Sequence, residues 1–171
     1  MNMGKEAYSA IICSIDANRA IGKENTLLAY LPGDLKYFRD MTIGKIVVMG
    51  RKTYESLPHG ALSDRKNIVI TSDTSLEKYP ECETYSSVDQ VFQLYQQEEL
   101  FFIGGAMLYQ AVMDRVDRLY ITEIDHEFQL CDAYFPEIEL SKWELVSKTQ
   151  FAQDKDSPYS YRFLEYRRRK L

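Results

Sequence analysis

Val47-Val48-Met49-Gly50-Arg51-Lys52-Thr53 and Phe102-Ile103-Gly104-Gly105-Ala106-Met107 share one pattern: a short apolar run, then glycine, then a segment with helical spacing. Strand, turn and helix in that order belong to an α/β sheet, because parallel neighbours can be joined only by a crossover. In an open sheet of this kind ligands bind at the carboxyl ends of the strands. Glycine lets the backbone approach a phosphate, and a helix start offers unpaired N–H groups and the positive end of its dipole. Neither turn is the Gly-x-Gly-x-x-Gly fingerprint or a Walker loop. Each alone is compatible with ordinary turn chemistry; the two together, one carrying Arg51 and Lys52, point to an anionic dinucleotide.

The flanking sequence repeats the alternation. Strands are expected at Tyr8–Ser14, Lys45–Met49, Asn67–Thr71, Leu100–Ile103, Arg118–Glu123, Glu144–Phe151 and Tyr161–Tyr166, and helices at Leu35–Met41, Arg51–Leu57, Val88–Gln96 and Ala106–Met113. Leu35, Phe38 and Met41 share one helical face, and Ser87 with Gln90 forms a capping-box pattern. The reading is α/β: a single domain with a central, mostly parallel twisted sheet, an antiparallel C-terminal edge strand, and helices on both faces. The polar stretch Ala152–Ser160 reads as a long hairpin, and Ile15–Pro32, with weak periodicity, as a lid or binding loop.

Composition narrows the function. The 171 residues suit one domain, with 1–6 and 168–171 read as loose ends, and 45% hydrophobic content supports a core. Apolar runs such as Leu100–Ile103 are too short to span a bilayer, and Met1–Ala7 lacks a secretory apolar stretch. Cys13, Cys82 and Cys131 are scattered and odd in number, as expected of free thiols in the cytoplasm. The net charge of −5 argues against a nucleic-acid partner. The basic run Arg167–Lys170 reads as a solvated end. His59 and His126 have no neighbouring ligands, so no metal is expected.

Asp34, in Leu31-Pro32-Gly33-Asp34-Leu35, has two readings. Aspartate at a helix start ordinarily caps N–H groups, and position alone favours that role. Yet Leu35 and Phe38 follow on the apolar side, and a partly desolvated carboxylate has a raised pKa and can carry a proton.

These stretches resemble dihydrofolate reductase. The matching segments are Ala20-Ile21-Gly22 with Glu24-Asn25, Leu31–Leu35 with Phe38, Val48–Ser56, Arg65-Lys66-Asn67-Ile68-Val69, Ile103-Gly104-Gly105 with Tyr109, Tyr120-Ile121-Thr122, and Asp132 with Phe135-Pro136, running in register from Ala10 to about Tyr166. The resemblance implies reduction of 7,8-dihydrofolate by NADPH, with antifolate inhibitors as further ligands and a monomer as the working form. It implies that Asp34 binds the pterin edge and assists protonation of N5, with Thr122 supporting it. Ile12, Cys13, Phe38, Leu57, Leu62, Ile103 and Tyr109 would line the substrate, and Arg65 would grip its glutamate carboxylate. On the cofactor side it implies Ile21, Gly22, Gly50, Lys52, Thr53, Thr71, Ile103, Gly104, Gly105, Ala106, Met107 and Tyr109. Arg51 and Ser72 would face the 2′-phosphate, and Ile15–Tyr30 would close as a lid.

The chain departs from the family pattern at Leu28-Ala29, where many members carry Pro-Trp, and at Met107, where many place an arginine. Cys131 replaces a glycine and Ser63 a proline, both in loops. Two other readings use the same residues: reduction of another pterin or a pyrimidine riboside, and nucleotide binding without catalysis. Asp34 with Arg65 favours a substrate bearing both an aminopyrimidine edge and a carboxylate. Asp34 with Thr122 favours catalysis, since dinucleotide binding needs neither.

Overall fold

In a computed structural model describing residues 6–22 and 26–170, the chain forms strands β1 (Ser9–Ile15), β2 (Ala20–Gly22), β3 (Ile46–Gly50), β4 (Lys66–Ile70), β5 (Cys82–Tyr85), β6 (Leu100–Phe102), β7 (Arg118–Ile124), β8 (Ala133–Tyr134), β9 (Trp143–Lys148), β10 (Ala152–Gln153) and β11 (Ser160–Arg168). The helices are α1 (Pro32–Thr42), α2 (Arg51–Ser56), α3 (Val88–Leu94) and α4 (Ala106–Val112). Among the described residues the main sheet has nine strands, ordered β10-β11-β7-β1-β6-β3-β4-β5, with β9 also on β11. The six from β7 to β5 run parallel, while β9, β10 and β11 join antiparallel.

Strand alternation builds a two-sided core. Ala10, Ile12, Val47, Met49, Phe101 and Tyr120 face Tyr37, Phe38 and Met41 of α1 and Tyr54 of α2. Ile11, Cys13, Ile15, Val48, Phe102 and Ile121 face Val91 of α3 and Leu108 and Val112 of α4. A parallel strand covered on both faces needs an apolar run on every position, which is why β1, β3 and β6 are legible as near-continuous hydrophobic stretches.

Several boundaries differ from expectation, each for a physical reason. Cys82–Tyr85 was not expected as a strand; it is an edge member on β4 only, with Glu83 accepting the Tyr85 and Tyr95 hydroxyls, so it carries no apolar run. The expected strand Glu144–Phe151 ends at Lys148 as β9, whose pairing with β11 shifts register at Glu165/Tyr166, and the short β10 falls inside the expected hairpin Ala152–Ser160. The expected loop Ile15–Pro32 contains β2, which pairs with β8 in a small separate sheet. Val88–Gln96 stops at Leu94, while Gln90 does accept the Ser87 amide at 3.3 Å.

The C-terminal basic run is not a loose end throughout. Arg168 lies in β11, donates to the carbonyls of Val116 and Met113 at 2.9 and 2.6 Å, and covers the Trp143 ring; Arg169 donates to Leu140. A planar guanidinium with five donors is suited to tying three chain segments together. At the other end Glu6 pairs with Arg118 at 3.5 Å.

Candidate active site

Asp34 sits in the first turn of α1, whose apolar side lies on the β1–β7 part of the sheet. The parallel register sets Ser14 of β1 directly beside Thr122 of β7. Both hydroxyls donate to Asp34: Ser14 Oγ to Oδ2 at 2.5 Å and Thr122 Oγ1 to Oδ1 at 2.6 Å. Burial raises the Asp34 pKa; the two hydroxyls oppose that, and the Asp154 carboxylate adds to it.

The helix-cap reading of Asp34 is therefore corrected. The N-cap residue is Leu31, with no side-chain cap, and Asp34 is occupied by hydroxyls. The residue that takes a first-turn N–H is Asp154, which accepts from Gly33 at 3.0 Å and from the Tyr161 hydroxyl at 2.6 Å. Neither Asp154 nor Ser14 was a candidate on sequence grounds. The only signal for Ser14 was a hydroxyl near the end of a largely apolar strand, and nothing local pointed to Asp154.

Beside Asp34, Ile12, Phe38, Leu57, Leu62 and Ile103 meet in one apolar cluster. Cys13 does not join them, because alternation turns it to the opposite face, where burial pushes its thiol up to about 12. Tyr109 lies there too, its hydroxyl donating to the Ile12 carbonyl at 3.1 Å. At the far end of the cluster Arg65 is half-buried over Phe38, its Nη1 donating to Thr42 and its Nε to the Ser63 carbonyl. Burial, then the neighbouring Arg39 charge, lowers the Arg65 pKa. The two positive charges favour a carboxylate at this end of the cluster, and Arg39 was not a sequence candidate.

The two glycine turns come together because β3 and β6 are neighbours. Ile103 N–H donates to Val48 at 2.9 Å and Gly50 N–H to Gly104 at 2.8 Å. Gly104 has φ +127°, and a Cβ there would stand 3.3 Å from the Tyr109 hydroxyl and 3.4 Å from Thr53 Oγ1. Only glycine fits, which leaves bare backbone beside Thr53 and the uncapped starts of α2 and α4. A pyrophosphate suits such a cradle.

The remaining cofactor-side candidates are more dispersed. Arg51 is exposed and paired with Glu55 at 2.8 Å; Lys52, Ser72 and Met107 are exposed, and Ala106 is partly so. Thr71 is buried, its hydroxyl beside Tyr79 and accepting the Asp73 amide. Ile21 packs against the core cluster that holds Leu108 and Val112, and Gly22 is buried in β2, where a Cβ would meet the Thr26 carbonyl at 3.0 Å. Asp16 anchors the start of the expected lid, accepting the amides of Asn18, Ala20 and Phe128. Leu28 and Ala29 pack on the Leu31–Ile124–Tyr161 cluster, while Tyr30 is exposed. Glu24 and Asn25 lie outside the described residues.

Known proteins match this chain along nearly its full length. A family model described as dihydrofolate reductase matches residues 9–168. Dihydrofolate reductase of Bacillus subtilis is 45% identical over 161 residues, covering 94% of each chain, and that of Staphylococcus haemolyticus is 34% identical over 93% of this chain and 95% of its own. A solved structure of dihydrofolate reductase from Enterococcus faecalis, complexed with NADP(H) and RAB-propyl, superposes with a TM-score of 0.88 at 30% identity, covering 95% of this chain and 97% of that one.

Proposed function

The chain belongs to the dihydrofolate reductase family, and from that premise we propose how its residues divide the work of reducing 7,8-dihydrofolate to tetrahydrofolate. NADPH supplies the hydride, which goes to C6 of the pterin, while N5 takes a proton. Asp34 binds the aminopyrimidine edge and favours the protonated pterin. Ser14 and Thr122 leave lone pairs on both carboxylate oxygens for that edge, since each oxygen accepts more than one hydrogen bond. The observation that supports this most is a partly buried carboxylate, held by two hydroxyls and with a raised pKa, at the end of an apolar slot.

Ile12, Phe38, Leu57, Leu62 and Ile103 wall the ring system, and Arg65, beside Arg39, receives the glutamate carboxylate by a charge-assisted fork. The bare backbone at Gly50, Gly104 and Gly105, with Thr53, holds the pyrophosphate. Ile21 and Tyr109 border the nicotinamide, and Arg51 and Ser72 meet the 2′-phosphate. The segment from Ile15 to Tyr30 excludes water over the nicotinamide. Among the described residues no helix is long and apolar enough to cross a membrane. We further infer a monomer of the reducing cytoplasm, without a nucleic-acid partner and open to antifolate inhibitors.

The direct test mixes purified protein, dihydrofolate and NADPH and follows loss of NADPH absorbance. Consumption requiring both substrates is expected. Turnover of a tail-less pterin or a pyrimidine riboside in preference to dihydrofolate would shift the assignment within the fold.

A further inference from the structure

Of the two hydroxyls on Asp34, Ser14 is the one that neither the motifs nor the comparisons single out. It comes from a different strand than Thr122 and engages the opposite carboxylate oxygen. The strand register makes the pair a rigid two-point seat: Ser14 and Thr122 are direct partners between β1 and β7, two central parallel strands. Their backbones cannot move apart without breaking the sheet. A carboxylate held at one oxygen can swing about that bond; held at both, its plane is fixed. We propose that Ser14 is a positioning residue for the reaction, orienting the Asp34 carboxylate and biasing it toward its ionised form.

This inference rests on the role given to Asp34 above. The chemistry follows from the direction of donation. A hydroxyl that donates to a carboxylate stabilises the charged form, so its removal must move Asp34 titration to higher pH. The other titratable groups around Asp34 are Cys13 on β1, Tyr37 on α1, and Asp154 and Tyr161 from the C-terminal hairpin. Cys13, Tyr37 and Tyr161 have pKa values raised by burial, so they stay neutral through the range in which a carboxylate titrates. Among the described residues Asp154 is the carboxylate that acts on Asp34, and it accepts hydrogen bonds of its own from Gly33 and Tyr161.

The test reads the carboxylate itself. Full-length protein labelled with ¹³C at aspartate carboxyls is titrated by NMR, with the Asp34 signal assigned by its loss in Asp34→Asn. Ser14→Ala should move the Asp34 midpoint upward by on the order of one pH unit, about one hydrogen bond to a charged group. Ser14→Thr, which keeps a hydroxyl, should follow the unmodified protein. In single-turnover assays the fall of hydride transfer with rising pH should shift the same way in Ser14→Ala. An Asp34 midpoint unchanged in Ser14→Ala, or a Ser14→Thr variant that titrates like Ser14→Ala, would overturn the proposal. Because the titration needs no turnover, its outcome is independent of the Asp34→Asn kinetics that test the underlying reading.

Discussion

Around Asp34 the side-chain polar contacts reach across the fold, whereas those of the charged side chains on the cofactor side stay local. Asp34 is held from 20 and 88 residues away, and Gly33 beside it from 121. Arg51 instead turns to Glu55 one helical turn on, and Asp73 holds Lys78 five residues along. The first arrangement exists only when the whole sheet has formed, so its order is established on folding and not on binding. The second leaves shape to glycine backbone and charge to exposed side chains that must be redirected when a ligand arrives. Preorganised groups contribute more to a transition state than groups that still have to be ordered. Substitutions should therefore hurt most at the Asp34 corner and least among the exposed cofactor-side charges.

Asp34→Asn is the strongest way to break that contrast. General acid–base assistance is typically worth about 10²–10⁴-fold, so turnover at neutral pH should fall by at least roughly two decades with NADPH binding intact. The deficit should narrow in acid, where solvent protonates the pterin. Stability should move the other way. The Asp34 pKa is raised, chiefly by burial, so the folded state binds this proton more tightly than the unfolded state. Its contribution to stability is then largest below the unfolded pKa and declines as pH rises through the folded one. Asparagine has no charge to desolvate. Its melting temperature should match or exceed that of the unmodified protein at neutral pH, with the advantage fading in acid. Near-normal turnover, or a loss that tracks unfolding, would remove Asp34 from the chemistry.

Arg65→Leu sharpens the contrast within the substrate side. A charge-assisted hydrogen bond is worth about 1.5–3 kcal/mol, or one to two decades in affinity. Dihydrofolate should weaken by that factor, and a dihydropterin without the glutamate tail should not. Equal losses for both would mean that Arg65 serves through its Thr42 and Ser63 bonds alone.

Gly104→Ala tests whether cofactor-side shape resides in the backbone. At φ +127° an alanine is strained, and its Cβ would crowd Tyr109 and Thr53. Strain of this kind costs about 1–3 kcal/mol. NADPH affinity, followed by fluorescence titration, should drop about tenfold, while dihydrofolate binding changes less. Unaltered NADPH binding would show that the cradle tolerates a side chain.

Which parts could be read from the sequence follows from the same contrast. The glycine turns, the parallel core strands and the Asp34 and Arg65 blocks are short contiguous patterns, and the turns and core strands lie where those patterns predict. Ser14 and Asp154 are defined by partners distant in sequence, and a strand read alone cannot disclose what its neighbour or a helix above it carries. β2 and β8 escaped for a related reason: each is too short for periodicity and exists only by pairing with the other. The structure gives Asp34 the partly desolvated setting that its apolar neighbours predict, while its local reading as a cap failed because the orphan N–H beside it is taken by Asp154.

Arg51→Ala should give the smallest effect, and the reason lies in what Arg51 does without ligand. Its pair with Glu55 joins two roughly half-exposed side chains one helical turn apart. Exposed pairs of this type contribute about 0–1 kcal/mol, so the guanidinium is released at little cost when a 2′-phosphate arrives. Exposure also limits what it then gains, because water and salt screen the new contact. Met107, exposed at the start of α4, adds no second cation. The unmodified protein should use NADPH over NADH by about one to two decades in efficiency, from one or two charge-assisted hydrogen bonds. Arg51→Ala should narrow that gap by up to about one decade through NADPH alone, and less at high ionic strength. Glu55→Ala, which frees the guanidinium, should widen it slightly. Equal use of both cofactors by the unmodified protein, or a gap that survives Arg51→Ala at every salt concentration, would move 2′-phosphate recognition elsewhere along the β3 and β4 ends.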